Sequence, residues 1–286
     1  MQPFHFPKSI RARRQGDSVN KFGMFSWFGY PMPFEDRLEL IKGAGFSATG
    51  FWLGPEEELV GKGKVDLLPG LIRSRGLFLD YVHAPDIGCN DVWAKLDSKR
   101  EEWMRTYRSY VDLCKRHSVP LLVMHMSQSK GEQPEGPSAK GISAIMDLVK
   151  VAENSDVKIA IENTMQPALL DLIFPQIQSR HLGFCYDTSH DFLYSPKPGA
   201  LLARWGQRLM ATHLGDNDGI HDRHWLPGLG VLSWKEITRW FPFTTYQGFL
   251  TLEVFPKDHE NEPASGFMAS AYESIQWLYD ALQGEV

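Results

Sequence analysis

A chain of 286 residues exceeds one small core but suits one α/β barrel, which typically takes ~250 residues. With 43% hydrophobic and 23% charged residues, disordered and fibrous classes are excluded and a sizeable buried core is expected. The net charge of −5 supplies no bulk attraction for nucleic acid, and Cys89, Cys114 and Cys185, with no CxxC spacing, indicate neither a disulfide framework nor a thiolate zinc site.

Residues 1–20 carry Arg11, Arg13 and Arg14 but no apolar run, and read as an N-terminal arm ahead of a barrel over 21–286. No stretch approaches the ~20 apolar residues of a membrane span, so a reducing, cytoplasmic location is expected. From Lys21 onward, β-branched or aromatic runs alternate with stretches of helical period. Strands are predicted at 22–27, 48–53, 77–83, 120–125, 158–162, 182–187, 209–214 and 249–254. Helices are predicted near 34–44, 65–75, 97–117, 138–153, 166–177, 198–205, 233–240 and 266–282. The third is the clearest, with Trp103, Tyr107, Tyr110, Val111 and Cys114 forming an apolar stripe on a charged helix. Eight consecutive βα units, with an apolar run such as Leu121 to Met124 that suits a strand buried on both faces, predict a single-domain (β/α)8 TIM barrel. A dinucleotide fold is disfavoured, because no glycine-rich fingerprint follows the first strand.

In this fold the active site is built at the C-terminal ends of the strands. Strand three ends at His83, four at His125, five at Glu162-Asn163-Thr164, six at Asp187-Thr188-Ser189-His190, seven at His213 and eight at Glu253. A lone strand-end His or Glu is more often a hydrogen-bonded structural group. Six in equivalent positions, all aimed at one central volume, make a metal site the better reading, since buried carboxylates are costly unless paired or coordinated. Mixed oxygen and imidazole donors suit Mn2+, Zn2+, Co2+ or Fe2+ better than Mg2+ or Ca2+. In the loop after strand seven, Asp216, Asp218 and His221 read as solvated. Asp222 and His224, two residues apart, would point the same way in an extended segment and share a metal or a substrate hydroxyl. Phe25, Trp27, Phe28 and Trp52 suit either core packing or an apolar wall against a sugar ring, and Trp225 has the same two readings.

These residues resemble the xylose-isomerase-like barrel superfamily, which includes sugar isomerases, keto-sugar epimerases, inosose and dehydroshikimate dehydratases, and the endonuclease IV repair enzymes. The resemblance runs from about Lys21 to the end. It is carried by Ile161-Glu162-Asn163, by Tyr186-Asp187-Thr188-Ser189-His190, by His213 through Asp222-Arg223-His224 to Pro227-Gly228-Leu229-Gly230, and by Leu252-Glu253. It implies Glu162, Asp187, His213 and Glu253 as the metal ligands of the isomerase and epimerase branch, with His190 and Arg223 near substrate. His83, His125, Asp222 and His224 match the further ligands with which endonuclease IV holds three zinc ions, so His83, His125 and His190 are candidates for both metal and substrate. The loop 84–90 looks like the isomerase branch and lacks the Ser-Tyr-Leu stretch with which the repair enzymes enter DNA.

The expected function is therefore a divalent-metal-dependent sugar, polyol or keto-sugar isomerase or epimerase of carbohydrate metabolism. It would act by proton transfer through a metal-stabilised enediolate, with Glu162 and Glu253 moving the proton, His190 assisting, and Trp27 and Trp52 against the substrate. One ion, Mn2+ or Zn2+, is expected, with ligands for up to three. The expected partner is a small carbohydrate, without nucleic acid or membrane, on a chain that would suit a homo-oligomer. The alternatives are an endonuclease IV-like zinc phosphodiesterase acting on abasic DNA and a metal-dependent dehydratase.

Overall fold

Strand alternation decides what this chain can build, because neighbouring side chains on a strand face opposite sides. In a computed structural model describing residues 21–54, 64–127, 136–241, 244–257 and 262–283, eight strands follow in chain order. They are β1 (Phe22–Met24), β2 (Ala48–Trp52), β3 (Phe78–His83), β4 (Leu121–Met124), β5 (Lys158–Glu162), β6 (Leu182–Asp187), β7 (Leu209–His213) and β8 (Leu250–Leu252). Each pairs in parallel with its sequence neighbour, and β1 also pairs with β8. Leu214 N–H donates to Thr251 O at 2.9 Å, and a parallel bridge joins Leu214 to Leu252, closing the sheet between β7 and β8. The architecture is the (β/α)8 barrel that the alternating pattern predicts. The arm over 1–20 lies outside the described residues.

The outer layer consists of α1 (Phe34–Ala44), α2 (Leu68–Ser74), α3 (Asp97–Arg116), α4 (Ala139–Glu153), α5 (Ala168–Ile173), α6 (Thr188–Tyr194), α7 (Ala200–Trp205), α8 (Trp234–Trp240) and α9 (Ala264–Leu282). Trp103, Tyr107, Val111 and Cys114 give α3 its buried stripe. Ser138 caps α4 by accepting from Gly141 N–H at 3.1 Å, and α1 stops at Gly45, whose φ of 106° is left-handed. The helix α6 has no counterpart among the predicted helices. Asp187 ends β6 and caps α6, its carboxylate accepting from the His190 N–H, so the chain turns into a helix at once.

Two apolar layers result. Phe22, Met24, Ile159, Ile161, Phe184 and Leu252 face the helices, while Phe25, Tyr81, Leu121, Val123, Ala160, Cys185 and Ala211 fill the barrel interior. Two bulges adjust the alternation: Asp80 is the extra residue of β3 between Leu79 and Tyr81, and Met210 that of β7 between Leu209 and Ala211. Gly183 lies under the second bulge, where a Cβ would overlap the Arg208 carbonyl oxygen and the Met210 side chain. Because a backbone carbonyl has nowhere to retreat, Gly183→Ala is expected to destabilise the barrel by about 2–3 kcal/mol, read as a lower urea midpoint. An unchanged midpoint would contradict this packing. Among the described residues no helix is long and apolar enough to cross a membrane.

Candidate metal centre

The interior residues place the polar ones. Two positions beyond Tyr81, Val123, Ala160, Cys185 and Ala211 stand His83, His125, Glu162, Asp187 and His213, which therefore project into the same volume at the barrel mouth. Glu253 follows β8 in the same way.

Glu162 is the hub, with only 1% of its side chain exposed. Its Oε2 lies 3.0 Å from His83 Nε2, 3.2 Å from His125 Nε2 and 3.1 Å from His213 Nδ1, and its Oε1 lies 3.0 Å from His190 Nδ1. Glu253 Oε2 stands 2.8 Å from the same His213 nitrogen. Asp187 is set by a reciprocal clamp: Asn163 Nδ2 donates to Asp187 O and Asp187 N–H donates to Asn163 Oδ1, both at 2.8 Å. Further out, Asp222 Oδ2 lies 2.9 Å from His190 Nε2 and 3.0 Å from His224 Nε2.

Donor atoms of Glu162, Asp187, His213 and Glu253 all lie within 4.8 Å of one another, as do those of His83, His125 and Glu162, and those of His190, Asp222 and His224. Several features fit a cation. His213 Nδ1 is buried and close to two carboxylates, yet aligned for a hydrogen bond with neither. His83 Nδ1 is 2.7 Å from Ala84 O and His224 Nδ1 is 3.1 Å from Glu253 O, carbonyls that only accept. A neutral ring then carries its proton on Nδ1 and turns the Nε2 lone pair toward a carboxylate, the tautomer fixed in the way metal-ligating histidines are.

The electrostatics agree. Burial raises the Glu162 carboxyl, but His125 and His213 outweigh it and hold the group well below the usual range. Burial likewise raises Glu253, and His213 brings it down to about 2. Asp187 goes the other way, pushed up to about 6 by burial, with His190 opposing and Glu162 reinforcing. Burial favours neutral imidazoles, yet Asp187 and Asp222 hold His190 well above its ordinary value, and Asp222 lifts His224 to about 10. Protons on the imidazoles thus answer the charge that four convergent carboxylates create.

The other candidates separate. Trp52 meets His83 edge-on at 6.0 Å, and its indole nitrogen has no hydrogen-bond partner among the described residues. Trp27 packs on the interior cluster with the Arg37 guanidinium 5.3 Å from its ring. Phe25 lies beneath His83 and His213, whereas Phe28 stacks on Phe267 in the helix-side core. Trp225 pairs its backbone with Asp216 and carries the Lys257 ammonium 4.0 Å over its ring. Arg223 is turned outward, its Nε donating to Asp218 Oδ2 at 2.8 Å. Asp218 and His221 are surface-loop residues, as the sequence suggests. Asp216 is not: it is fully buried and accepts from Asn217 N, Gly228 N, Leu232 N and Trp234 Nε1. It organises the loop that carries Asp222 and His224. Gly230 lies against this cradle, where a Cβ would overlap the Asp216 carboxylate and Asn217 O. Gly230→Ala is therefore expected to disorder the loop and weaken metal uptake while the sheet stays folded, seen as faster amide exchange over 215–232. Unchanged exchange would contradict it.

A family model described as Xylose isomerase-like TIM barrel matches residues 38–281, and the chain belongs to that family. It is 26% identical over 260 residues to an uncharacterized protein, y4fM, of Sinorhizobium fredii, covering 79% of this chain and 82% of that one. Among solved structures it resembles D-psicose 3-epimerase of Clostridium cellulolyticum H10 with D-tagatose (TM-score 0.75, 16% identity, 92% of this chain and 99% of that one). It also resembles an L-ribulose 3-epimerase (TM-score 0.75, 16% identity, 93% and 96%) and a 3-keto-D-glucoside 4-epimerase of E. coli (TM-score 0.67, 16% identity, 91% and 99%). At such identities the likeness is one of fold.

Proposed function

We propose that this chain is a divalent-metal-dependent keto-sugar epimerase, with Glu162, Asp187, His213 and Glu253 as the principal ligands. One observation carries the reading. Glu162, at the end of β5, and Glu253, just beyond β8, both approach one His213 nitrogen, at 3.1 and 2.8 Å. A divalent cation held there supplies Lewis-acid stabilisation for negative charge on the oxygens of a hydroxy-ketone. The rest is done by the chain. Two carboxylates on different strands can flank a substrate carbon, one taking its proton and the other returning one to the opposite face, which inverts the centre. His190, 3.0 Å from Glu162 Oε1, is placed to hold or pass a proton, and Trp52, beside His83, offers an apolar surface to a sugar. The named activities of the fold's relatives, 3-epimerases and a 4-epimerase of keto-sugars, support the same class.

The test is incubation of metal-loaded protein with a ketose panel in D2O. Epimerisation places one deuterium on an inverted carbon, whereas 1,2-isomerisation yields an aldose. No exchange on any ketose would overturn the proposal. A second reading, a multinuclear zinc phosphodiesterase, is favoured by the additional donor groups His83–His125–Glu162 and His190–Asp222–His224. Two or three zinc ions per chain by elemental analysis together with nicking of abasic-site DNA would select it; stable zinc without nicking would leave the epimerase reading.

A further inference from the structure

Asp187 stands between two other donors, Glu162 on β5 and His213 on β7, at the point where β6 gives way to α6. The register sets Glu162 beside Cys185 and Asp187 beside His213. The backbone ladder between β5 and β6 stops just here. Asn163 N–H donates to Cys185 O at 3.4 Å, and Thr164 N–H then turns back onto Glu162 O at 3.0 Å. In a continued parallel ladder Asp187 N–H would donate to the Asn163 carbonyl, and Asp187 O would accept from Met165 N–H. The Asn163 side chain takes both roles: its Oδ1 accepts from Asp187 N–H and its Nδ2 donates to Asp187 O, each at 2.8 Å. A side-chain amide replaces the peptide group that the turning strand withdraws.

The chemistry of that replacement is specific. A backbone N–H only donates and a carbonyl only accepts, so both ends of the amide are assigned. A leucine of similar shape offers neither group, and a carboxylate would set its charge against the Asp187 carbonyl oxygen. Asp187 is tied on its other side through the next residue. Thr188 Oγ1 donates to Gly215 O at 2.7 Å and accepts from Gly215 N–H at 3.0 Å, joining the start of α6 to the chain two residues beyond His213. Asn163, Asp187 and Thr188 are each only 1% exposed. The Asp187 carboxylate follows this backbone, because its Oδ1 caps α6 by accepting from His190 N–H at 2.7 Å. Among the described residues neither the Asn163 amide nor the Thr188 hydroxyl bonds a carboxylate or an imidazole of the site.

We infer that Asn163 and Thr188 are positioning residues, which together fix the Asp187 carboxylate between Glu162 and His213. This rests on the proposal that Asp187 is a metal ligand. Partners that orient a ligand without touching the ion are worth about 10- to 100-fold in metal affinity.

The test is equilibrium dialysis of the full chain against manganese and, separately, zinc at buffered free concentrations. Bound metal is read by elemental analysis, and folding by circular dichroism and urea unfolding. Asn163→Leu and Thr188→Val, which keep the shape and remove the hydrogen bonds, are each expected to raise the metal Kd by about 10- to 100-fold in a folded chain. Thr188→Ser keeps the hydroxyl and is expected to stay near the wild type. Thr49→Val separates positioning from general loosening. Its hydroxyl donates to Met24 O at 2.7 Å, equally buried, between β2 and β1, which supply none of the four proposed ligands. That variant is expected to lower the urea midpoint and leave the metal Kd unchanged. If Asn163→Leu does not fold, the Thr188 pair decides. A metal Kd unchanged in a folded Asn163→Leu or Thr188→Val chain overturns the inference. So does a Thr188→Ser chain as weak as Thr188→Val, or a Thr49→Val chain whose Kd rises as much. A wild type that takes up neither metal overturns the proposed metal centre and this inference together, an outcome distinct from the others.

Discussion

Glu162→Gln is expected to lower kcat/KM on a responsive ketose by about 10²–10⁴-fold and to strip most bound metal, with the barrel still folded. The amide is nearly isosteric, so packing at the end of β5 survives. What it removes is the charge. Among the described residues Glu162 is the one carboxylate within reach of His83, His125, His190 and His213, and it belongs to three donor groups at once, the third formed with Cys185 and His213. An amide there turns an N–H or a weak acceptor toward imidazole nitrogens that otherwise meet an anion, and a buried polar group left mismatched costs about 1–3 kcal/mol. Glu253→Gln is expected to divide the effects. The Glu253 side chain is 14% exposed at the mouth, and among the described residues its carboxylate pairs with the His213 imidazole alone, so metal content should fall less than turnover. Elemental analysis, circular dichroism and kcat/KM on the same preparations separate the contributions. Full activity in either variant would sink the proton-transfer assignment, and a lost circular dichroism signal would show that Glu162 holds the barrel rather than its chemistry.

The contrast between these glutamates reflects how the site is written into the chain. The strand-end polar residues are legible because alternation is local: a small or apolar interior residue followed two positions later by Glu, Asp or His declares itself in a short window, as Ala160 and Glu162 do. The elements that depend on distant partners are not. Asp216 looks like its neighbour Asp218 in composition, but its donors at Gly228, Leu232 and Trp234 arrive only when the loop folds back. Asn163 and Thr188 are legible as parts of motifs, while their clamps require Asp187 and Gly215 to meet them from 24 and 27 residues away. The helix α6 was hidden by its own cap, since Asp187 is at once the last residue of a strand and the first acceptor of a helix. The bulges at Asp80 and Met210 break the very period on which strand reading depends.

The first of those bulges carries the other large expected effect. Asp80 is the unpaired extra residue of β3, with an Oδ2 that is buried and has no hydrogen-bond partner among the described residues. Burial pushes its carboxyl from 3.8 up to about 7, against the opposing pull of His213 and Lys21. The sign is the reverse of the usual carboxylate case. Below about pH 3 the group is protonated in both folded and unfolded chains, and its ionisation adds no difference between them. As pH rises toward 7 the unfolded chain releases the proton and the folded chain keeps it, so folded stability falls; above 7 the loss is constant. At about 1.36 kcal/mol for each of roughly three pH units, the full loss is about 4 kcal/mol. Asp80→Asn cannot ionise, so its advantage over the wild type is expected to be smallest at about pH 3 and to grow up to about pH 8. The gain will fall short of the full figure, because the amide also lacks a partner. Urea unfolding in the presence of a chelator, which keeps metal from changing the charge at His213, measures the difference. A gap between the two chains that stays the same from acid to alkaline pH would show that Asp80 ionises as freely in the barrel as in the unfolded chain.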